Sequence, residues 1–177
     1  MRFVDGPTLL QTRDDTSLEE KVTIVRQVAE AIHAAHRRGL IHRDIKPGNI
    51  LVEHQPDEGW RPFVVDFGIA RDVDSHDLTV TGMVLGTPAF CAPEQVRGEA
   101  ITTATDVYAL GILLYELLTG HRPYRLPRHR PREAERIICG EEPSRPSTIV
   151  TRRVEVEKPD GSTETVTPDR IGSSRST

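Results

Sequence analysis

The stretch Ile41-His42-Arg43-Asp44-Ile45-Lys46-Pro47-Gly48-Asn49-Ile50-Leu51-Val52 decides how this chain folds. Its polar loop, residues 42–49, places an imidazole, a guanidinium, a carboxylate, an ammonium and a carboxamide within eight consecutive residues. Apolar residues lie on both sides, with Ile41 before the loop and residues 50–52 after it. A loop held between two hydrophobic anchors can fix several functional groups at one place. We therefore expect the polar loop to carry the chemistry of the chain.

Three further motifs follow the polar loop. They are Val64-Val65-Asp66-Phe67-Gly68, then Gly86-Thr87-Pro88, then Ala92-Pro93-Glu94. The polar loop has the spacing H-R-D-x-x-x-x-N of the protein kinase catalytic loop, and D-F-G and A-P-E belong to the same set of motifs. With four motifs in this order, the chain resembles the eukaryotic-like serine/threonine protein kinase family, and the residues of the motifs are closest to those of its bacterial branch.

The resemblance implies a protein-kinase-like α+β fold, with one large gap. The family has two lobes, and its motifs begin with a glycine-rich loop and a lysine on the third strand. Gly6 is the only glycine before Gly39, and no strand resembling V-A-I-K precedes Ile41. We therefore expect a mainly helical C-lobe with short β-hairpins, a fragment that lacks the N-terminal β-lobe. Residues 1–150 would form this C-lobe, with the hinge, the activation segment and a central helix, and residues 151–177 an exposed hairpin insertion and a polar tail.

Two longer helices are expected around the polar loop. Ser17 and Glu20 match the S-x-x-E capping box at a helix start, and Gly39 is a stop signal. Residues 105–119 are apolar nearly all round, which predicts a buried helix that ends at Gly120. The apolar face predicted for the first helix consists of Leu18, Val22, Val25, Ala29, Ile32 and Ala35. We interpret its two histidines, His33 and His36, as solvated or packing residues rather than ligands.

The shorter elements follow from local patterns. Residues 50–52 and 62–65 predict two strands, and residues 133–139 a short helix. Residues 154–157 and 163–166 flank a Lys-Pro-Asp-Gly-Ser turn and predict a β-hairpin.

Composition excludes several classes of protein. At 177 residues the chain has the length of one domain, and its net charge of −4 is no nucleic-acid signature. Cys91 and Cys139 are too few for a disulfide framework and show no metal spacing. The start has no hydrophobic signal region, and the apolar run at 107–118 is interrupted and too short for a bilayer. We expect a cytoplasmic chain without a membrane segment or a nucleic-acid partner.

The resemblance implies a catalytic role for four residues. Asp44 would accept the proton of the substrate hydroxyl, or orient that hydroxyl. Lys46 would reach the γ-phosphate, and a lysine here favours Ser or Thr over Tyr as the acceptor. Asn49 would hold Mg²⁺ together with Asp66, since both carry the oxygen donors that this cation prefers. Thr87 matches the residue that hydrogen-bonds the catalytic aspartate and lysine. The alternative for a lone loop aspartate, a turn former, is weakened by these neighbours.

ATP and Mg²⁺ are the implied cofactors. The opening residues resemble the segment that hydrogen-bonds adenine through its backbone, and Leu51 matches the residue under the adenine ring. The implied nucleotide-binding residues are Arg2, Phe3, Val4, Lys46, Asn49, Leu51 and Asp66.

Regulation and support are implied for a further set of residues. Thr79 and Thr81 are candidate phosphosites, where a phosphate adds roughly 1.5 to 2 negative charges and Arg43 and Arg71 are the natural partners. A plain polar loop is the alternative for either threonine. Structural support is implied for His42 and Phe67 in an apolar stack, for Asp106 on the backbone of the polar loop, and for Glu94, whose usual arginine partner this chain does not contain.

Two functions of different class follow. The first is an ATP- and Mg²⁺-dependent protein kinase acting on Ser and Thr hydroxyls of protein substrates. The alternative is a catalytically inert kinase-derived fragment or pseudokinase-like binding module, since half of the nucleotide's cradle is missing from these residues. An N-lobe or other domain outside this chain would be the partner that completes the site. For the 177 residues alone we expect phosphoryl transfer to be absent or very low.

Overall fold

The computed structural model describes residues 6–12, 15–57, 59–67, 88–127 and 130–150, and the backbone of two strands at 154–157 and 163–166. The order along the chain is α1 (Leu18–His36), β1 (Ile50–Gln55), β2 (Gly59–Val64), α2 (Pro93–Arg97), α3 (Thr103–Thr119), α4 (Pro131–Gly140), α5 (Pro146–Ile149), β3 (Val154–Glu157) and β4 (Thr163–Val166), with 3₁₀ turns at Pro47–Asn49 and Pro88–Phe90. In this part of the chain, helices and two two-stranded sheets agree with the expected α+β class with short hairpins.

Local signals define the ends of α1. The Ser17 hydroxyl accepts the Glu20 N–H at 3.2 Å, and the Glu20 carboxylate accepts the Ser17 N–H at 2.7 Å, so the predicted capping box is confirmed. After the helix ends at His36, Gly39 adopts a φ of +76°, which a glycine reaches without steric cost.

The predicted apolar face of α1 is wrong at its N-terminal end. Leu18 and Val22 are each 46% exposed, whereas Ile24 and Val28 are fully buried. Two apolar rows lie side by side on this helix, and periodicity alone does not say which of them faces the core. Packing against α3 and β2 selects the row that contains Lys21, Ile24, Val25, Val28, Ile32 and Ala35.

Helix α3 is the central helix, and it begins two residues before the predicted start. Thr102 caps it by accepting the Ala104 N–H at 3.2 Å, and Gly120 ends it with a φ of +72°. Leu113 is fully buried, but Val107 is 62% exposed, so the prediction of burial all round is wrong at the first turns. The reason is that Val107 shares an outward-facing row with the exposed Ala104 and Gly111.

The strands β1 and β2 form an antiparallel hairpin that is longer than predicted. Ile50 pairs with Val64 at one end and Gln55 with Gly59 at the other. The segment before α1 lies along β1, since the Leu9 N–H donates to the Ile50 carbonyl at 2.8 Å. The second predicted hairpin is also present, with β3 and β4 paired antiparallel. Helix α4 is longer than its predicted seven residues and includes Gly140.

The core joins α1, the hairpin and α3, and Ile45 of the polar loop is part of it with 2% exposure. The polar loop therefore leaves the end of α1, is anchored in the core midway and enters β1. The buried residues of the core are Leu9, Ile24, Val25, Val28, Ile32, Ile45, Ile50, Val52, Ala109, Leu113 and Leu117.

No helix in the described part of the chain is both long enough and apolar enough to cross a bilayer.

The substitution Ser17→Ala tests the capping of α1. It removes the acceptor for the Glu20 N–H, so we expect the free energy of unfolding to fall by about 1 kcal/mol in urea denaturation. Thr103→Ala, an exposed threonine on the first turn of α3, is the control, with an expected change of less than about 0.5 kcal/mol. A loss at Ser17 no larger than the control's would contradict the capping box.

The same cap has a pH dependence. Hydrogen bonds from the Ser17 hydroxyl and backbone N–H lower the pKa of Glu20 below its ordinary 4.5, against the opposing effect of burial. A lowered pKa in the folded state stabilises the fold above pH 4.5, and this contribution is lost as the pH falls through the folded value. The stability difference between wild type and Ser17→Ala should therefore shrink as the pH falls below 4.5 and through the lowered pKa of Glu20.

Candidate active site

The polar loop brings three of the predicted residues together. The Lys46 ammonium Nζ lies 2.7 Å from Oδ2 of Asp44, and Nδ2 of Asn49 donates to the same oxygen at 3.0 Å. Among the described residues, no hydrogen bond reaches the other carboxylate oxygen, Oδ1 of Asp44. The carboxylate is thus oriented by two donors on one oxygen, Oδ2.

A 3₁₀ turn places Asn49 in this arrangement. Pro47 starts the turn, and the Asn49 N–H donates to the Lys46 carbonyl at 2.9 Å. Asn49 is 7% exposed, and Nδ2 donates to the Asp44 backbone carbonyl at 2.8 Å as well as to its carboxylate. Since the amide nitrogen faces Asp44, the amide oxygen points to the other side, where it can serve as a ligand.

Asp66 follows β2 and is tied to the polar loop through its neighbour Val65. The Val65 N–H donates to the Asn49 carbonyl at 3.0 Å, and the His42 ring nitrogen Nε2 lies 3.0 Å from the Val65 carbonyl oxygen. Asp66 itself is exposed and has a φ of +58°, an uncommon conformation for a residue other than glycine. No local pattern in the sequence predicts that Val65 forms this link.

The donor set around Asn49 and Asp66 fits Mg²⁺. This cation takes one or two carboxylates together with substrate phosphate oxygens rather than a complete protein cage. The described residues contain no group of three His, Cys, Asp or Glu side chains that could hold a metal by themselves. An amide oxygen and an exposed carboxylate on adjoining segments are ligands of the required hard type.

His42 is fully buried and hydrogen-bonded through both ring nitrogens. Nδ1 accepts the Asp44 N–H at 3.3 Å, so the hydrogen of the neutral ring is assigned to Nε2, which donates to the Val65 carbonyl. The ring of Phe67 packs against the His42 ring with centroids 4.6 Å apart. The two residues that the resemblance assigns to an apolar stack are therefore in contact.

Asp106 on α3 holds the start of the polar loop. Its carboxylate is 1% exposed and accepts the backbone N–H groups of His42 at 2.9 Å and Arg43 at 2.8 Å. The His36 ring nitrogen Nε2 lies 2.6 Å from the same carboxylate. His33 is exposed, as interpreted from the sequence, but His36 is a specific partner of Asp106, which the sequence analysis missed.

Two residues of α2 contact the rest of the site. The Thr105 hydroxyl donates to the Glu94 carboxylate with an oxygen–oxygen distance of 2.5 Å. Glu94, for which the family implies an arginine partner, thus has a partner on α3. Gln95 donates from Nε2 to the Arg43 carbonyl at 2.7 Å. Arg43 has a φ of +68°. No local sequence pattern predicts either contact, because the partners are 11 and 52 positions apart and lie on different elements.

The phenol of Tyr108 lies close to this region. Burial, followed by the neighbouring Tyr124 hydroxyl, raises the pKa of Tyr108 well above its ordinary 10.0. The phenol therefore stays protonated at neutral pH and is no candidate for a proton acceptor.

Leu51 is half-buried on β1, where it pairs with Phe63. The remaining predicted site residues, Arg2, Phe3, Val4, Arg71, Thr79, Thr81 and Thr87, lie outside the described residues.

The spacing of Asp44, Lys46, Asn49 and Asp66 along the chain matches the protein kinase motifs H-R-D-x-x-x-x-N and D-F-G. The chain matches the protein kinase domain family over residues 3–164, and it belongs to that family.

Bacterial serine/threonine kinases are among the proteins that are similar to this chain. The chain is 41% identical over 152 residues to serine/threonine-protein kinase PkaA of Streptomyces coelicolor, covering 84% of this chain and 27% of the relative. It is 42% identical over 127 residues to PknL of Mycobacterium tuberculosis, covering 70% and 31%, and 41% identical over 127 residues to PknA of the same organism, covering 70% and 28%. The chain thus spans between about a quarter and a third of the length of these relatives, and the resemblance to the bacterial branch is confirmed.

Proposed function

We propose that this chain supplies the catalytic-loop half of an ATP-dependent serine/threonine protein kinase. The observation that carries the proposal is the convergence of Lys46 and Asn49 on one oxygen of Asp44, with Asp66 joined to Asn49 through the Val65 backbone. On this proposal residues 1–150 are C-lobe elements, and residues 151–177 are a hairpin insertion and tail.

The reaction is in-line transfer of the γ-phosphoryl group to a Ser or Thr hydroxyl of a protein substrate. A bond forms between the hydroxyl oxygen and the γ-phosphorus, and the bond from that phosphorus to the bridging oxygen breaks, so ADP leaves with the electron pair. The hydroxyl proton passes to Asp44. Because Lys46 and Asn49 both contact Oδ2, we assign the proton to Oδ1.

Positive charge is the second requirement of the reaction. The Lys46 ammonium, held beside Asp44, offsets the negative charge on the transferred group. Asn49 and Asp66 would hold Mg²⁺, which when bound neutralises charge on the β- and γ-phosphates.

The nucleotide-binding and regulatory roles that the family implies are part of this proposal. The residues outside the described part are assigned by motif alone: Arg2, Phe3 and Val4 to the nucleotide, Thr87 to Asp44 and Lys46, and Thr79, Thr81 and Arg71 to regulation with Arg43. Leu51 is assigned to the adenine.

Activity of the 177 residues alone is expected to be absent or very low. The sequence contains no glycine-rich loop, and its three lysines, Lys21, Lys46 and Lys158, include none in a V-A-I-K-like strand. This feature favours the alternative function, a kinase-derived binding module, for the chain in isolation. The missing glycine-rich loop and strand lysine leave open whether the polar loop can catalyse phosphoryl transfer when another chain supplies them.

A chimera separates these two questions. The 152 matched residues of this chain replace their counterparts in the Streptomyces kinase, and transfer from labelled ATP to a basic protein is measured with and without Mg²⁺. We expect Mg²⁺-dependent phosphate on serine and threonine, and little or none with the 177-residue chain alone. Phosphate found on tyrosine, or a folded chimera without transfer, would contradict the proposed function.

A further inference from the structure

The backbone of Arg43 is hydrogen-bonded on both sides by side chains from two helices. Its N–H donates to Oδ1 of Asp106 on α3 at 2.8 Å, and its carbonyl accepts from Nε2 of Gln95 on α2 at 2.7 Å. Arg43 has a backbone φ of +68°, in the left-handed region that residues other than glycine rarely adopt. An uncommon conformation persists where the surroundings hold it, and here both peptide groups of Arg43 are held.

These bonds belong to a closed ring. Thr105 precedes Asp106 on α3, Glu94 precedes Gln95 on α2, and the Thr105 hydroxyl donates to the Glu94 carboxylate. The ring therefore runs from Arg43 to α3, across to α2 and back to Arg43. Helix α2 cannot shift relative to α3 without changing the contact on the Arg43 carbonyl.

The side chain of Gln95 is held at both ends. Its Oε1 accepts the Ala92 N–H at 2.9 Å at the start of α2, while Nε2 donates to Arg43. Only one orientation of the amide satisfies an N–H on one side and a carbonyl on the other. The donor that contacts the polar loop is thus oriented by the helix that carries it.

We infer that Gln95 is a positioning residue for Asp44. The Arg43 carbonyl belongs to the peptide that joins Arg43 to Asp44, so the contact from Gln95 fixes the plane of this peptide and with it the direction in which the Asp44 side chain leaves the backbone. Through this contact α2 sets the geometry of the polar loop. The inference rests on the proposed function only in that Asp44 is the reacting group.

The substitution Gln95→Glu separates the effects of the two hydrogen bonds that the Gln95 amide makes, one with the Ala92 N–H and one with the Arg43 carbonyl. Glutamate keeps the acceptor for the Ala92 N–H and is favourable in the first turn of a helix, so α2 should remain intact. It cannot donate to the Arg43 carbonyl, and it places a carboxylate oxygen against that carbonyl. Gln95→Met is the second variant, because it removes both hydrogen bonds at nearly constant length.

Amide hydrogen exchange of the 177-residue chain, followed by NMR, is the readout. For Gln95→Glu we expect exchange at the Arg43 and Asp44 amides to accelerate about tenfold, with shifted resonances, while the amides of α2 exchange as in wild type. Gln95→Met should accelerate the same two amides. Arg97→Gln, an exposed change on the same helix, is the control and should leave them unchanged.

Two results would overturn the inference. One is exchange at Arg43 and Asp44 within about twofold of wild type in both variants. The other is equal acceleration throughout α2 in Gln95→Glu, since the loop would then respond to loss of the helix rather than of one contact. Neither exchange measurement depends on phosphoryl transfer, so a failure of the proposed function, seen as an inactive chimera, is distinguished from a failure of this inference. If the chimera is active, Gln95→Glu should lower kcat about tenfold with little change in KM for ATP.

Discussion

Asp44→Asn is expected to lower kcat for phosphoryl transfer in the chimera by about 10²- to 10⁴-fold. Asparagine has almost the same shape and retains an oxygen acceptor for the Lys46 ammonium, which lies 2.7 Å from the carboxylate. What it loses is the ability to take the hydroxyl proton and the negative charge that Lys46 and Asn49 orient. Because Asp44 is not assigned to nucleotide binding, KM for ATP should change by less than about threefold.

A matched control exists for this change. Asp57 lies exposed in the turn between β1 and β2, and Asp57→Asn makes the same chemical substitution outside the site. We expect its kcat to equal that of the unsubstituted chimera within about twofold. Equal activity of the Asp44→Asn and Asp57→Asn forms would show that Asp44 is not the proton acceptor.

The second large effect is expected from Asp106→Asn, and it concerns stability. The buried carboxylate accepts two backbone N–H groups of the polar loop and contacts the His36 ring. An asparagine amide has only one oxygen, so in either orientation its NH₂ group faces at least one of these donors. A buried donor left without an acceptor costs about 1 to 3 kcal/mol, and we expect a total loss of about 3 kcal/mol.

Thermal unfolding of the 177-residue chain measures this loss. A change of about 3 kcal/mol corresponds to a fall in Tm of roughly 6 to 12 °C for a domain of this size. Glu99→Gln, the same carboxylate-to-amide change at an exposed residue, is the control and should shift Tm by less than about 2 °C. A Tm for Asp106→Asn that matches the control would mean that the hydrogen bonds to the loop contribute little to the fold.

The parts of the structure that the sequence predicts are those with local signals. The capping box of Ser17 and Glu20 and the glycine at the end of α3 are each read from a few consecutive residues. The polar loop is similar, since Asp44, Lys46 and Asn49 are within five residues of one another and meet in a single turn. The strands of both hairpins are predicted for the same reason, although the first pair continues further toward its turn.

The parts that were missed depend on partners far apart in the chain. His36 and Asp106 are separated by 70 positions, and Gln95 and Arg43 by 52, so no local pattern relates them. The exposed face of α1 has a different cause. Leu18 and Val22 are apolar at helical spacing, and only the position of α3 and β2 makes the neighbouring row with Ile24 the buried one.

We propose that the polar loop of this chain, with Asp44 as proton acceptor, forms a working catalytic half of a protein kinase. The most direct test is the single-turnover rate of phosphoryl transfer by the chimera, beside the Streptomyces kinase whose segment it replaces. We predict a rate within about tenfold of that kinase and a fall of at least about a hundredfold on Asp44→Asn. A folded chimera whose rate equals that of its own Asp44→Asn form would contradict the role of Asp44 as proton acceptor.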